Sequence, residues 1–226
     1  MEQIRVSARR RTQQERRTRT RGRLLSATIE CLVDLGFRGT TTLEVERRAE
    51  VSRGARIHYF QTKQDLLAGA VDSLYHQLSE HYDEALQQLA EQPADVDSVQ
   101  RALGAIWKIY RRPEYTAVVE LSVAARTDVE LRARLLDVSR RHRALASETV
   151  VRHLPQFPGE VAVSLTETVN AAMLGMLVQR NLDKNFVHEQ AVLAHLGDMI
   201  VGRLFTANTR ATANETAPQA RPRAEG

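Results

Sequence analysis

Side chains that can hydrogen-bond outward are concentrated in one short stretch of the sequence. Arg53, Arg56, His58 and Tyr59 fall within eight residues that begin at Ser52. Serine is a favoured N-cap residue, so a helix is predicted to start there and to carry the four side chains. Guanidinium, imidazole and phenol groups bond base edges and phosphate oxygens, and the chemistry indicated is therefore contact with nucleic acid.

Two further caps position this helix. Thr41 precedes Glu44 by three residues, the spacing of a capping box, in which the threonine accepts from the Glu44 N–H and the glutamate bonds the Thr41 N–H. Thr62 is predicted to cap the following helix, with Asp65 in its first turn. Two helices of about two turns each cannot bury a core alone. Their arrangement is typical of a helix-turn-helix, whose second helix enters the major groove of DNA.

A supporting helix is predicted over residues 16–36. Apolar residues recur there at helical spacing, and Gly36 is placed as a C′ glycine. Cys31 lies among them and is interpreted as a packing residue. The residues expected to pack inward from the helix-turn-helix are Val45, Ala49, Val51, Ala55 and Phe60.

Positive charge is segregated at the N-terminus. Residues 1–23 hold nine arginines and two glutamates, a net charge of +7, whereas residues 24–63 carry +1 and residues 64–226 carry −4. A basic end beside a helix-turn-helix is the electrostatic pattern of a DNA-binding module. Residues 1–15 are predicted to be a disordered basic arm. With one cysteine, no apolar run of membrane-spanning length and no secretory signal, a cytoplasmic protein without membrane association is expected.

The rest of the chain predicts an all-α protein of about nine helices. The further helices are expected at residues 63–92, 95–112, 113–126, 128–154, 161–182 and 185–205. The helix at 161–182 is apolar on several faces and must be covered on several sides. The last two helices, about 161–205, are therefore the predicted homodimer interface, with burial inside one domain as the alternative. We expect domains at 16–67 and 68–206, and a disordered tail at 207–226.

Three short helices, a long connecting helix and a divergent helical remainder resemble the tetracycline-repressor (TetR) family of transcriptional regulators. The resemblance is specific over about residues 20–67 and rests on Gly36-Phe37, the threonines at 40–42, Ala49 and the segment VSRGARIHYFQTKQDLL from Val51. It implies an N-terminal DNA-binding domain on a larger ligand-binding and dimerisation domain. It also implies a dimer that binds a near-palindromic double-stranded operator and is released by a small-molecule effector.

The resemblance assigns roles within the helix-turn-helix. Arg53 is the predicted base reader, because arginine pairs bidentately with guanine O6 and N7; a phosphate contact is the alternative. Ala55 or Ile57 is expected to meet a thymine methyl group, and Gly54 to permit close approach of the backbone. The remaining residues are assigned to phosphate contacts, or to either bases or phosphates: Thr41, Thr42, Ser52, His58, Tyr59 and Lys63.

Several residues depart from the usual family pattern. Glu46 stands in place of alanine, Arg56-Ile57 in place of Leu-Tyr, and Glu50 in place of a glycine in the turn. A side chain in the left-handed conformation costs about 1 kcal/mol, so a shifted turn is one expectation. Arg56 either turns outward to DNA or lays its stem along the core.

A ligand cavity is predicted in the second domain from inward-facing aromatic residues and methionines on different helices. Ordinary core packing is the alternative for each of them. Glu120 and Asn170 lie in apolar runs and need polar partners, which a ligand or an interhelical hydrogen bond would supply. The other residues of the predicted set are Leu78, Tyr82, Trp107, Tyr110, Val123, His142, Met173 and Met176.

Other functions receive less support from the sequence. The seven histidines show no metal-binding spacing along the chain, and no nucleophile or phosphate-loop motif is present. We therefore expect no enzymatic activity, no metal and no cofactor. A DNA-binding regulator without a small-molecule ligand, controlled by a protein partner, or an activator in place of a repressor, is the alternative.

Overall fold

The structure is a computed structural model that describes residues 2–92, 95–155, 157, 159–185 and 187–215, with side chains described between residues 13 and 203. The described residues form nine α-helices and one short 3-10 helix, and no strand. The α-helices are α1 (Glu2–Gly39), α2 (Thr42–Ala49), α3 (Arg53–Tyr59), α4 (Lys63–Ala90), α5 (Val96–Tyr110), α6 (Thr116–Ala124), α7 (Val129–His153), α8 (Gly159–Leu182) and α9 (Glu189–Glu215). The all-α prediction is confirmed.

Local caps explain why several helices begin where they do. Asp95 and Asp128 accept hydrogen bonds from the first turns of α5 and α7, at 2.8 and 2.9 Å. Thr62 and Asp65 form a complete capping box at the start of α4, with both bonds 3.0 Å long. These bonds satisfy amide groups that have no partner inside the helix. The predicted Thr62 cap is therefore confirmed.

Two apolar cores share helices α1 and α4. The smaller core joins α1, α2 and the start of α4 through Leu24, Val45, Ala49, Phe60 and Leu66. The larger core fills the C-terminal part of the chain, and it too includes residues of α1 and α4. Since the same two helices pack into both cores, the helix-turn-helix has a fixed position relative to the helices that follow.

The two predicted disordered ends are more helical than expected. Helix α1 begins at Glu2, not near residue 16, and α9 continues to Glu215, past residue 207. Arginine, glutamine, glutamate and alanine are good helix formers. Residues 2–21 and 203–215 contain neither proline nor glycine. Low hydrophobicity was therefore a poor guide to helicity here. Residues 216–226 of the predicted tail lie outside the described residues.

Helices α4 and α7 run in parallel and are joined by three charged rungs. Acidic residues of α4 meet basic residues of α7 at a constant sequence offset, so each rung lies two or three helical turns beyond the last. The rungs are Asp65–Arg134 at 2.6 Å, Asp72–Arg141 at 3.2 Å with His142 at 3.0 Å, and Asp83–Arg152 at 3.3 Å with His153 at 2.9 Å. The pattern fixes the register of α4 against α7.

Helix α8 leaves an uncharged face exposed. Six of its exposed positions recur every three or four residues and carry no charge: Ser164, Thr168, Ala171, Gly175, Val178 and Leu182. Glu160, which is also exposed, lies one turn before Ser164. By length and composition alone, Gly159–Leu182 could also cross a membrane. Its most apolar 18-residue window has a mean hydropathy of 1.5, and 33% of that window is buried within the protein. A core helix of a water-soluble protein passes the same test, so this is weak support for a membrane span.

Candidate nucleic-acid interface and effector cavity

At the N-terminus of α2, only one of the two bonds of the predicted Thr41–Glu44 capping box is present. The Glu44 N–H donates to Thr41 Oγ1 at 3.1 Å. The Glu44 carboxylate does not return to Thr41 and instead accepts from Arg47 at 2.7 and 2.8 Å and from Arg48 at 2.9 Å. Hydrogen bonds from Arg47, then Arg48, lower the pKa of Glu44 to about 2. Ion pairing within α2 outcompetes the second bond of the predicted capping box.

The turn between α2 and α3 keeps its usual geometry despite Glu50. Glu50 is left-handed, with φ 48° and ψ 47°. Its N–H donates to the Arg47 carbonyl at 3.2 Å, and the Val51 N–H donates to the Glu46 carbonyl at 3.0 Å. These two bonds make a Schellman motif. Arg23 of α1 donates to both the carbonyl and the carboxylate of Glu50, so the strained residue is held from outside and the expected shift of the turn is wrong.

Arg56 faces the core and not solvent. Its guanidinium donates to the Glu46 carboxylate at 3.0 Å and to the carbonyls of Phe60 and Gln61 at 3.1 and 3.2 Å. The side chains of Arg56 and Glu46 are 8% and 11% exposed. The two departures from the family pattern therefore form one buried ion pair between α2 and α3.

The remaining predicted residues of α3 form a continuous exposed surface. Ser52 is exposed, and its hydroxyl accepts from the Ala55 N–H at 3.3 Å, which confirms the predicted cap. Arg53 is exposed and makes no hydrogen bond or ion pair to any described residue. The other members are Gly54, Ile57 and His58, which are exposed, and Ala55 and Tyr59, which are half-buried.

Lys63 and Leu43 differ from the prediction for this surface, because Lys63 is drawn toward α1 and Leu43 is exposed. The Lys63 ammonium lies 4.7 Å from the centre of the Phe37 ring and 3.5 Å from the Phe37 carbonyl, and burial lowers the pKa of Lys63. It is thus held against α1 and not extended into solvent. Thr42, beside the Thr41 cap, is half-buried. Leu43 is 75% exposed at the start of α2. It was not predicted to belong to this surface, although its position directly after the threonines at 40–42 could have indicated it.

Glu120 lies at the contact between the two parts of the protein and not in a ligand cavity. The bend of α1 is at Gly36, with φ 65°, and the next amide, that of Phe37, donates to the Glu120 carboxylate at 3.3 Å. A Cβ at Gly36 would lie 3.5 Å from the same carboxylate. Glu120 therefore connects α6 to the end of α1 through an interhelical hydrogen bond, which the sequence analysis gave as the alternative to a ligand contact.

A cavity of about 210 Å³ lies among α4, α5, α6, α7 and α8. Five of the ten predicted ligand residues line it: Leu78, Tyr82, Tyr110, His142 and Asn170. The lining residues that were not predicted include Tyr75, Ser79, Ser122, Ser139, Arg143 and Thr166. The three serines and one threonine among them were missed because these residues at helical spacing do not differ in pattern from surface residues.

Phenol groups give the cavity its hydrogen-bonding character. The Tyr110 hydroxyl donates to Asn170 Oδ1 at 2.9 Å. Burial raises the pKa of Tyr82 to about 12 and that of Tyr110 well above 10. Both phenols are therefore protonated donors at neutral pH. The one guanidinium on the wall, Arg143, lies 3.4 Å from Glu167, so the wall has little net charge. The hydroxyls of Tyr110, Ser79, Ser122 and Thr166 already donate to protein oxygens, so they offer lone pairs more than free protons.

The other predicted ligand residues lie elsewhere. The Trp107 indole N–H donates to Glu189 at 2.9 Å, which ties α5 to α9. Met173 and Met176 are 0% and 3% exposed and fill the core, whereas Val123 is 65% exposed. An inward-facing residue of a helical domain more often packs than lines a void, because the interior is densely filled.

These observations define a class of protein. The described residues place a capped helix-turn-helix, with exposed hydrogen-bonding groups on its second helix, on a helical domain that contains a cavity. This is the architecture of an all-α DNA-binding protein.

Comparison with known proteins identifies the family. Residues 24–70 match the family described as bacterial regulatory proteins, tetR family. An uncharacterized HTH-type transcriptional regulator of Mycobacterium tuberculosis is 33% identical over 183 residues, which are 77% of this chain and 92% of that protein. The chain belongs to the TetR family of transcriptional regulators, which bind DNA and are not enzymes.

Solved structures agree with this fold. A TetR-family transcriptional regulator of Mesorhizobium loti has a TM-score of 0.65 at 14% identity, and the match covers 84% of this chain and 97% of that one. The multidrug binding protein EbrR, solved with imidazole, has a TM-score of 0.61 at 20% identity and covers 81% and 93%. At these identities the likeness is one of fold.

Proposed function

We propose that the protein is a repressor that binds a near-palindromic operator as a dimer and leaves it when a small molecule occupies the α4–α8 cavity. The observation that supports this most directly is the position of α4. The helix begins four residues after α3 ends, and its Tyr75, Leu78 and Tyr82 line the cavity. With 28 residues it is about 42 Å long.

Arg53 is the proposed base reader. It is exposed on α3, and no described group competes for its guanidinium, in contrast to Arg47 and Arg48, which Glu44 occupies. Arg56 is excluded from this role by its burial against Glu46. Ile57 is 42% exposed on the same helix and supplies an apolar contact of the kind that meets a thymine methyl.

Selected DNA tests this assignment. An operator-like sequence is first selected from random oligonucleotides, and its affinity is measured by fluorescence anisotropy beside that of a scrambled sequence. Arg53→Ala is expected to weaken binding to the selected sequence by about 5- to 150-fold, since a bidentate base contact contributes about 1–3 kcal/mol. Its effect on scrambled DNA is expected to be small.

An exposed arginine of the N-terminal extension provides the matched control. Arg19 is exposed on α1 and makes no hydrogen bond or ion pair to a described residue. Arg19→Ala is expected to weaken binding to both DNAs alike, because a phosphate contact carries no sequence information. Equal loss on both DNAs for Arg53→Ala would reject the base-reading role.

The proposed dimer interface is the uncharged face of α8 together with α9. The groove between these helices has an apolar lining that includes Val161, Leu165, Leu196 and Met199, and Met199 is 55% exposed. Two charged residues, Glu160 and Arg203, also line the groove. A stripe of six uncharged exposed positions is unusual for a surface helix, because polar and charged side chains normally cover that face. A second copy of this chain would bury it.

Gly175 offers a clean test of the interface. A Cβ there would meet no atom within 4 Å in one chain, so Gly175→Arg fits the folded protomer. It is expected to convert a dimer to a monomer in sedimentation measurements without loss of helicity. Gln88→Arg, at an exposed site of α4, is the control and should stay dimeric. Wild-type protein that is monomeric at micromolar concentration would reject the interface.

Effector binding is proposed to act by changing the angle of α4. A ligand that inserts between α4 and the helices facing it displaces α4, and the two α3 helices of a dimer then no longer match half-sites of fixed separation. The cavity favours a small molecule with an apolar or aromatic body and a hydrogen-bond donor. Most hydroxyls on its wall already donate to protein oxygens, and their lone pairs can still accept a hydrogen bond.

A thermal-shift screen of small phenolic and other aromatic compounds tests the effector site. Ala146 lines the cavity, and Ala146→Phe fills it. A genuine effector should stabilise the wild type and release it from DNA, and it should do neither with Ala146→Phe. Ala133→Phe, on the exposed side of α7, is the control. Release that survives Ala146→Phe would place the effector elsewhere.

A further inference from the structure

Two side chains outside the cavity meet His142, which lines the cavity wall, between α4 and α7. Asp72 and His76 are separated by one turn of α4, and His142 comes from α7. One ligand atom of each lies within 4.8 Å of the other two. His142 Nε2 is 3.0 Å from Asp72 Oδ1, and His76 Nε2 is 3.8 Å from Asp72 Oδ2.

These distances suit a single transition-metal ion. Zinc binds imidazole nitrogen at about 2.0–2.1 Å and carboxylate oxygen at about 2.0–2.2 Å. Ligand atoms around one tetrahedral ion are therefore about 3.3 Å apart, and the two separations above lie on either side of that value. Two histidines and one carboxylate form a ligand set that zinc accepts with a fourth, exchangeable position.

We propose that Asp72, His76 and His142 bind one divalent transition-metal ion of the zinc type, which joins α4 to α7. The site is a second ligand site, additional to the effector cavity. It needs no DNA and no effector, so it stands or fails independently of the proposed repressor function.

Protein groups alone do not complete the hydrogen bonding of His142. Because an ionised carboxylate only accepts, the His142 Nε2–H donates to Asp72. The Nδ1 of His142 is the one buried side-chain polar atom without a hydrogen-bond partner among the described residues. Metal binding through Nε2 would replace the bond to Asp72 and place the ring proton on Nδ1, so the geometry of Nε2, and not the unpartnered Nδ1, supports the site.

Arg141 is the main competitor for the ion. Its guanidinium lies 3.2 Å from the same Asp72 oxygen that His142 contacts, but its side chain is 62% exposed and can turn into solvent. No other described charged side chain forms an ion pair with Asp72. The bound ion would replace the rung Asp72–Arg141 with a stronger link between the same two helices.

The same helices contain a matched pair that lacks the third ligand. Asp83 and His153 repeat the Asp72–His142 contact three turns further along, at 2.9 Å, but no second histidine completes a cluster there. Asp83 and His153 thus share the helix pair and the residue types and differ in ligand number. His153→Ala is therefore the control for any general effect of losing a histidine from this interface.

Titration of full-length, tag-free, chelator-treated protein with Zn²⁺ tests the site. One ion per chain is expected by calorimetry, with the melting midpoint raised by about 5–10 °C at a hundredfold excess over Kd. Co²⁺ in place of Zn²⁺ should give the strong visible absorption of a four-coordinate ion. Failure of wild-type protein to bind either ion at micromolar concentration overturns the proposal.

The ligand variants decide where the ion sits. His76→Ala, at a side chain 66% exposed, and the isosteric Asp72→Asn should each weaken Zn²⁺ binding by about 100-fold or more, because even outer-shell changes cost about 10- to 100-fold. His153→Ala should bind like the wild type. Unchanged binding in His76→Ala, or an equal loss in His153→Ala, overturns the assignment to these three residues.

Discussion

The buried pair Glu46–Arg56 gives the sharpest prediction about stability. Each partner is the other's only described charged neighbour within ion-pair distance, and both side chains are about nine-tenths buried. Removing one partner leaves an uncompensated charge in the interior, which costs about 3–5 kcal/mol. Because Arg56 also donates to two carbonyls, we place Glu46→Ala at the lower end, about 3 kcal/mol.

Replacing both residues should cost far less than the two single changes together. Arg56→Leu alone strands the Glu46 carboxylate and should also cost about 3 kcal/mol. In Glu46→Ala with Arg56→Leu no charge is left unpaired, and the remaining loss is that of the bonds to the Phe60 and Gln61 carbonyls, about 1–2 kcal/mol. The double-mutant cycle therefore predicts a coupling of about 4–5 kcal/mol between two residues on different helices.

Urea denaturation followed by circular dichroism measures the three variants against the wild type. A loss of about 3 kcal/mol corresponds to a fall of roughly 6–12 °C in the melting midpoint for a chain of this size. The double variant should keep its affinity for selected DNA, since Arg56 faces inward. Additive destabilisation would refute the buried pair, and loss of specific DNA binding in a folded double variant would show that Arg56 reads DNA.

Three other predictions follow from single contacts. Glu120→Leu leaves the Phe37 amide without its acceptor and should lower the free energy of unfolding by about 1 kcal/mol, measured from urea midpoints; no change would deny Glu120 a part in joining α6 to α1. Tyr110→Phe leaves Asn170 Oδ1 without its donor and should cost about 1–2 kcal/mol in the same assay, whereas an unchanged midpoint would mean that water replaces the bond. The pKa of Glu44 is lowered from 4.5 to about 2, so its ionised form stabilises the folded state above pH 4.5, and this contribution is lost as the pH falls toward 2. The difference in unfolding free energy between wild type and Glu44→Gln should therefore shrink from pH 4.5 to pH 2. A constant difference would contradict the pairing of Glu44 with Arg47.

The helix-turn-helix was predictable because local chemistry determines it. The caps at Thr41, Ser52 and Thr62 each act within four residues, so sequence alone identifies them. The direction of the Arg56 side chain was not predictable. Its partner Glu46 lies on another helix, and whether Arg56 faces the core or solvent depends on that pairing. Local spacing likewise could not place Glu120, whose bonding partner is the amide of Phe37, 83 residues away.

The cavity was half predictable for a related reason. Helical periodicity gives the face of each helix but not the rotation of one helix against another. Tyr82 and Tyr110 were therefore predicted together with Met173, which packs in the core, and Trp107, which bonds to α9. The same limit concealed the cluster of Asp72, His76 and His142. Spacing along the chain suggested no metal site, because two ligands are one turn apart on α4 and the third is on α7.

The parallel pairing of α4 and α7 links the proposed effector site to the recognition helix. A helix attached directly to α3 can transmit a ligand's effect only if it moves as a rigid unit, and the three rungs to α7 keep α4 in register along its length. The cavity and the Asp72 cluster both lie beside the middle rung. A ligand in either place therefore acts on the same helix pair: the effector by separating α4 from its neighbours, and a metal ion by holding α4 against α7. We expect bound Zn²⁺ to oppose effector-induced release from DNA, so that more effector is needed for half-release, and no such shift is expected in His76→Ala.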